Sequence, residues 1–350
     1  MNGLNAGQTD VSYFVPGMRA NGGPQQGAIW NARPMRRAMQ AGSMKVLRPV
    51  VGFQPNAALR KEEWIAMDEV VNMPRREELV GFSDLQSRGL TFNLQNPLGH
   101  TTLEWEDHGE VSPATLSMLV GTMAEDDLVD HGLRGIPLPI VSKGFTLDER
   151  LLMAGRNKGQ GIDVTNADAA ARQVALKVDD LFFNANYAYG GYTLYGYTTH
   201  PQRNTSAHGT NGLWTGGSKT GANILADALT ILTALYEAKV SGPYVMYIPA
   251  DYWAPLQADF KTESDKTIMQ RLLELNGLED IRVSFALTDE VVVVSMQRNV
   301  VDAVVGFTPM LVQWEEGGGA VNRFRVMAIV VPRVKRDNDA TSGVYHMVGT

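Results

Sequence analysis

The stretch Ile136-Pro-Leu-Pro-Ile-Val-Ser-Lys-Gly-Phe-Thr-Leu-Asp148 decides how this chain is read. It opens as a strand over 136–141, continues as a second short run toward Met153, and breaks at Gly155-Arg-Asn-Lys-Gly-Gln-Gly161. Behind the break, apolar residues recur at helical spacing. Ala171, Val174, Val178, Leu181 and Phe182 form one stripe, with Arg172, Lys177 and Asp179 off it. Thr165 with Asp168 three residues on is close to a capping box, so a long amphipathic helix is expected over 165–185. A strand leading into a long helix, with no catalytic motif beside it, points to architecture rather than to a reaction centre.

Upstream, residues 58–72 place Leu59, Trp64, Met67, Val70 and Val71 on one helical stripe, and Pro74 ends it. Alternation at Leu90, Phe92 and Leu94, then at Thr101, Leu103 and Trp105, predicts a hairpin about the Asn-Pro-Leu-Gly-His turn. Residues 107–135 are acidic and irregular, long for a loop inside a compact domain. Residues 1–58 are rich in Gly, Asn, Gln and Pro and read as an extended arm. Its aromatics, Tyr13, Phe14, Trp30 and Phe53, are unusual in a purely solvated tail.

Downstream, residues 186–222 read as a Tyr- and Gly-rich loop region, and 223–239 as a second amphipathic helix stopped by Gly242-Pro243. Strands are expected at 244–248, 281–285, 291–295, 304–307, 310–314 and 324–334, with helices near 250–260 and over 267–275. Mixed order of this kind implies α+β layers, not a doubly wound sheet.

The chain has 350 residues, 44% hydrophobic and 20% charged, which is ordinary for a folded protein. It has no Cys, which excludes disulfides, thiolate metal sites and a Cys nucleophile. No uninterrupted apolar run approaches the roughly 20 residues of a membrane span, and the first residues lack the pattern of a secretory signal. Net charge is −7, unevenly placed: residues 1–60 carry seven cations and one acid, +6, which leaves −13 for 61–350. A basic arm on an acidic body suits an arm that embraces a neighbouring acidic surface or faces nucleic acid.

Candidate chemistry is sparse. Residues 155–161 match neither GxGxxG nor GxxxxGK[ST] and read as a link. Glu104, Glu106, Asp107, His108 and Glu110 offer oxygen and imidazole ligands, but strand alternation makes a solvated polar face the default. Tyr187, Tyr189, Tyr192, Tyr195 and Tyr197 lack the interleaved cations of a base-stacking surface and fit a packed turn or a protein contact. No GxSxG elbow or HExxH helix is present.

Taken in order, these segments resemble the major capsid proteins of tailed phages, of the Hong Kong 97-like fold, and their relatives the encapsulins. Leu59-Arg-Lys-Glu-Glu-Trp-Ile-Ala-Met-Asp-Glu-Val-Val is similar to the N-terminal helix of encapsulins, and Asn96-Pro-Leu-Gly to the turn before their extended loop. Pro137-Leu-Pro-Ile with Phe145-Thr-Leu-Asp-Glu-Arg-Leu-Leu resembles the strand leaving that loop, and Asp163 through Phe183 the spine helix. Leu194-Tyr-Gly-Tyr-Thr-Thr-His-Pro resembles the loop after that helix. Gly242-Pro-Tyr-Val-Met-Tyr-Ile-Pro and Asp289-Glu-Val-Val-Val-Val-Ser resemble axial-domain strands, and Phe324-Arg-Val-Met-Ala-Ile-Val-Val-Pro the returning strand.

The resemblance implies an α+β Hong Kong 97-like capsid fold. Its parts would be an arm (1–58), a helix and lead-in strand (59–97), an extended hairpin loop (98–135), a peripheral domain with the spine helix (136–222 and 321–350) and an axial domain (223–320). It implies many copies, as pentamers and hexamers, in an icosahedral virion shell around double-stranded DNA, built in a bacterial cytoplasm without catalysis, cofactor or metal. A separate scaffolding protein, a portal and a decoration protein would be partners; no membrane is involved. An encapsulin-type compartment around a cargo enzyme is the alternative, and the arm tips the balance to a phage capsid. Trp30, Arg33, Arg36 and Arg37 of the arm, with Glu104, Glu106, Asp107 and Glu110 of the loop, are the expected inter-subunit contacts. Lys143 and Lys158 sit where some members crosslink, by position alone.

Overall fold

The structure, a computed structural model, describes residues 61–72, 79–108, 131–148, 164–261, 265–316, 321–335 and 342–349, and the single positions 114, 116, 118, 128, 129, 150, 154 and 157. The chain divides into two compact units, Met1–Ala58 and Leu59–Thr350, and the second carries everything below. Trp30, Arg33, Arg36, Arg37, Glu110 and Lys158 lie outside the described residues.

Helices α1 (Lys61–Asn72) and α2 (Val80–Ser87) lead to a three-residue strand, β1 (Thr91–Asn93). Strands β2 (Thr102–His108), β3 (His131–Pro137) and β4 (Val141–Asp148) follow, then the long helix α3 (Thr165–Asn184). The single expected strand over 136–141 is therefore two strands, parted at Leu138-Pro139-Ile140. Pro139 offers no amide proton to continue a ladder. Helix α3 begins where the stripe predicted, with Val164 rather than Thr165 at the cap position.

The expected pairing of 90–94 with 101–105 does not form. Asn96, in the left-handed region at φ 51°, and a single turn of 3-10 helix at Pro97–Gly99 redirect the chain. β1 instead pairs parallel with β11 (Val301–Glu316), and β2 pairs antiparallel with β3. Strand β11 spans both runs read separately at 304–307 and 310–314, because register shifts at 305–310 absorb the break in alternation. It pairs with β12 (Val321–Val334), and β12 with β4, giving the order β1-β11-β12-β4.

Helix α3 lies on β12 and β4. Its buried stripe, Ala167, Ala170, Ala171, Val174, Val178 and Phe182, meets Phe324 and Val326 from β12 and Met67, Val71, Val80 and Leu85 from α1 and α2. Each large side chain buried here contributes about 1.5–3 kcal/mol.

The Tyr-rich region holds two strands, β5 (Asn186–Tyr189) and β6 (Tyr192–Tyr195), turned by Gly190 and Gly191, both at positive φ as a tight hairpin turn demands. Residues 196–198 then cross the end of α3 and donate to the carbonyls of Ala185, Phe182 and Phe183 at 2.9 Å each, satisfying groups the helix leaves open. Gly196 is required by this crossing, since a Cβ there would stand 2.3 Å from Phe183 O. Gly196→Ala is expected to cost about 1–3 kcal/mol in urea unfolding; an unchanged midpoint would mean the crossing gives way.

A second sheet is ordered β7-β13-β10-β8-β9, from β7 (Asn204–Ala207), β8 (Tyr244–Ile248), β9 (Leu278–Val283), β10 (Val291–Ser295) and β13 (Val344–Val348). Every residue of β8 and β10 is buried, because both faces are covered. Helix α4 (Gly221–Glu237) packs Ile224, Ile231 and Leu235 against Met246, Val291 and Val293, while Val245, Tyr247, Val292 and Val294 join the core around α3. Helix α4 starts two residues before the expected 223 because Thr220 Oγ1 accepts from Asn223 N. The helix expected near 250–260 shrinks to a 3-10 turn and the four residues of α5 (Trp253–Leu256). Helix α6 (Ile268–Leu273) starts at a complete capping box, Thr267 with Gln270. Strands β7 and β13 join the sheet of β8–β10, and β11 joins that of β4 and β12.

Two buried carboxylates clamp α2 onto this frame. Asp179 of α3 accepts from Gly81 N at 2.8 Å, and Asp84 accepts from Tyr247 OH at 3.0 Å. Burial, with Asp180 and Asp84 adding negative charge, pushes Asp179 from an ordinary value of 3.8 to about 6. A folded pKa above the unfolded one means that this group's contribution is fully present below about pH 4 and is lost as pH rises through about 6. Asp179→Asn keeps an oxygen for Gly81 and is expected to gain on the wild type by roughly 3 kcal/mol between pH 4 and 8. Urea titrations at each pH read that difference, and a constant difference would mean that Asp179 is solvated.

Candidate functional site

The hairpin of β2 and β3 runs in register from Thr102↔Pro137 to His108↔His131 and, among the described residues, pairs with no other strand. Isolated two-stranded ribbons are marginal in water, so its root is held by other means. Leu103 and Trp105 pack on Ile136, Leu138, Val304 and Ile329, and the β5–β6 hairpin lies against β3.

The firmest anchor is Arg333 of β12. Its guanidinium stands 4.8 Å from the ring centre of Phe92 and 5.4 Å from that of Trp105. Its Nε and Nη2 donate to the two oxygens of Asp302 at 2.7 and 2.5 Å, with both side chains buried. Lys335 Nζ adds a third contact to Asp302 at 2.8 Å. Strand β1, the body sheet and the hairpin thus meet at one cation.

Alternation along β2 separates the acidic residues that the sequence groups together. Glu104 and Glu106 are exposed, whereas Asp107 is half-buried and accepts from Arg134 Nε at 2.8 Å. Glu104 Oε1 accepts from Tyr192 OH at 3.0 Å. Among the described residues no cationic side chain pairs with Glu104 or Glu106. Nor, among them, do three or more His, Asp or Glu side chains gather where a metal ion would sit.

A cleft of about 370 Å³ opens beside the hairpin, lined by Trp105, Arg134, Tyr192, Tyr195, His200 and Gln202 among others. Burial, with Arg203 and Arg134 close by, lowers the His200 pKa to about 4 and keeps the ring neutral at pH 7. His200 Nδ1 accepts from Gln202 N at 3.3 Å.

A second groove, about 160 Å³, lies at the hairpin root between Pro97, Leu98, Pro139, Ile140, Tyr187 and Tyr189. Leu98 is 69% exposed, Tyr189 52%, Ile140 51% and Tyr187 46%, a contiguous apolar patch of the kind that marks interaction surfaces. Beyond His108, Leu116 and Met118 are fully exposed, at 101% and 99%. Sequence reading gave Tyr187 and Tyr189 a packed turn or a protein contact, but not the groove they form with Pro97, Leu98, Pro139 and Ile140.

Residues 54–347 match the model of a family described as a family of unknown function, DUF6260. The type 1 encapsulin shell protein EncA of Myxococcus xanthus strain DK1622 is 30% identical over 137 residues, 38% of this chain and 45% of that protein. The match thus spans under half the length of this curated relative. Among solved structures, the virus-like particle from Pyrococcus furiosus aligns over 82% of this chain and 98% of that one, at TM-score 0.54 and 16% identity. The capsid of Myoviridae phage XM1 aligns over 80% and 95%, at TM-score 0.60 and 11% identity. Likeness at these identities speaks to architecture, and the architecture is the Hong Kong 97-like capsid fold.

Proposed function

The chain belongs to the DUF6260 family, and from that premise we propose that many copies of it assemble into a closed icosahedral shell. The observation that carries this is the hairpin. Among the described residues its anchors lie along β2 and β3, and beyond His108 the chain carries Leu116 and Met118, whose apolar side chains lie wholly in water in the single chain. Covering them on a neighbouring copy removes that surface from water. The loop and the surface that covers it are different patches, so each contact is head-to-tail, the kind that builds rings where the rotation closes. The fold shared with solved capsids and a virus-like particle supports the same reading.

The contents of the shell are double-stranded DNA, as in a phage head, and the protein works without catalysis. A body carrying −13 outside residues 1–60 avoids strong salt-sensitive adhesion to packed phosphates. The match to an encapsulin shell protein favours a second reading, a compartment around a cargo protein. Negative-stain microscopy of the protein expressed alone, with absorbance at 260 and 280 nm on the same fraction, tests both. Closed particles are expected, and nucleic acid within them would favour the capsid. Particles with a co-purifying protein would favour the compartment, and only small oligomers, even with a scaffolding protein supplied, would overturn the shell.

A further inference from the structure

We propose that the groove at the hairpin root is the docking site for the arm of a second copy, with Trp30 in the groove and Arg33, Arg36 and Arg37 on Glu104 and Glu106. This rests on the shell reading above and names the contact that the arm makes in it.

The groove and the two glutamates form one continuous surface. Tyr187 and Tyr189 line the groove from β5, and Tyr189 sits directly opposite Tyr192 of β6, so the two rings share a face. Tyr192 OH donates to Glu104 at 3.0 Å, and Glu106 follows on the same exposed face of β2. An occupant must therefore carry an apolar or aromatic group first and cations next. Thr101 lines the groove, and at about 3.4 Å per residue Glu104 lies ~10 Å and Glu106 ~17 Å along the strand from it.

The arm carries that pattern. In Trp30-Asn-Ala-Arg-Pro-Met-Arg-Arg37 an aromatic residue precedes three cations, with no acid between Asp10 and Arg60. Pro34 biases Arg33 to extended backbone. In an extended run, at about 3.3–3.6 Å per residue, Arg33 lies ~10 Å and Arg36 ~20 Å from Trp30. Aromatic and cationic groups thus fall at the spacing of groove and carboxylates. Asp107 has no part in the contact, because Arg134 already occupies it.

The test uses the full chain. One version carries the photoreactive residue benzoylphenylalanine in place of Tyr187 and, as a mass tag in its own arm, Gln26→Asn. It is co-expressed with the otherwise unaltered chain, irradiated and digested with trypsin. Crosslinks to the peptide of residues 20–36 are expected, since trypsin does not cut between Arg33 and Pro34, about half of them with the unaltered Gln26 mass. Crosslinks only to the tagged arm would place each arm on its own chain and overturn the proposal, as would crosslinks only to other peptides. The crosslink is read whether or not microscopy of the sample finds particles, so failure of the shell and failure of the docking are separate results. As a second measurement, Glu104→Lys with Glu106→Lys, and Arg36→Glu with Arg37→Glu, are each expected to lower the inter-chain crosslink at least tenfold. Combining all four is expected to restore it, and failure of both pairs to lower it would overturn the charge pairing.

Discussion

Asp302→Ala is expected to lower the unfolding free energy by about 3–5 kcal/mol. The carboxylate holds both arms of the Arg333 fork, and the guanidinium is enclosed by the rings of Phe92 and Trp105. Without its partner the cation stays buried, with nothing to replace two charge-assisted hydrogen bonds. Lys335, one-quarter exposed, turns to solvent at little cost. Asp302→Asn, which keeps the shape and one acceptor, is expected to lose less. Replacing the pair together, as Asp302→Leu with Arg333→Met, is expected to recover most of the loss, because the desolvation penalty goes with the charges. Equilibrium unfolding in urea reads all three variants. A loss below about 1 kcal/mol for Asp302→Ala would mean that water reaches the guanidinium. Because Trp105 belongs to the hairpin, the same variant loosens the hairpin root, and assembly is expected to fall with stability.

Leu116→Asp combined with Met118→Asp is expected to have the opposite profile. Both side chains are fully exposed in the single chain, so the unfolding free energy is expected to stay within about 0.5 kcal/mol of wild type. Closed particles are expected to fall at least tenfold, since two carboxylates would have to be desolvated against a neighbour. Size-exclusion chromatography and microscopy of the variant measure this, with unfolding as the control. Wild-type particle yield from a stable variant would remove Leu116 and Met118 from the interface. The two substitutions thus separate what holds one subunit together from what joins it to the next.

The long helix α3 was legible because its apolar stripe keeps a 3.6-residue period over 20 residues. Strands β8 and β10 were legible as short uninterrupted apolar runs between turn residues. Partners were not. The segment 90–105 alternates as a hairpin would, yet the Asn96 and Pro97–Gly99 turn sends β1 to β11 and β2 to β3. Those pairings span more than 200 residues in the first case and close the long loop in the second, and local pattern holds no trace of either. The Tyr-rich segment reads as loop because its composition is that of a loop, whereas Gly190-Gly191 is a two-residue turn between two four-residue strands.

The candidate site divides the same way. Glu104, Glu106 and Asp107 stand together in sequence, but a strand sends neighbouring side chains to opposite faces, and Arg134 across the hairpin claims Asp107 alone. The groove between Leu98, Ile140 and Tyr187 joins three distant segments and exists only once they are folded together. The sequence by itself determined the class of fold, the long helix, the charge division between arm and body and the lack of a catalytic motif, because each is a property of composition or local period. Tertiary structure alone decided the strand order, the buried Asp302–Arg333 node and the exposed surface at the hairpin root. Each of these depends on which distant residues meet, and that is set by the packing of the whole core.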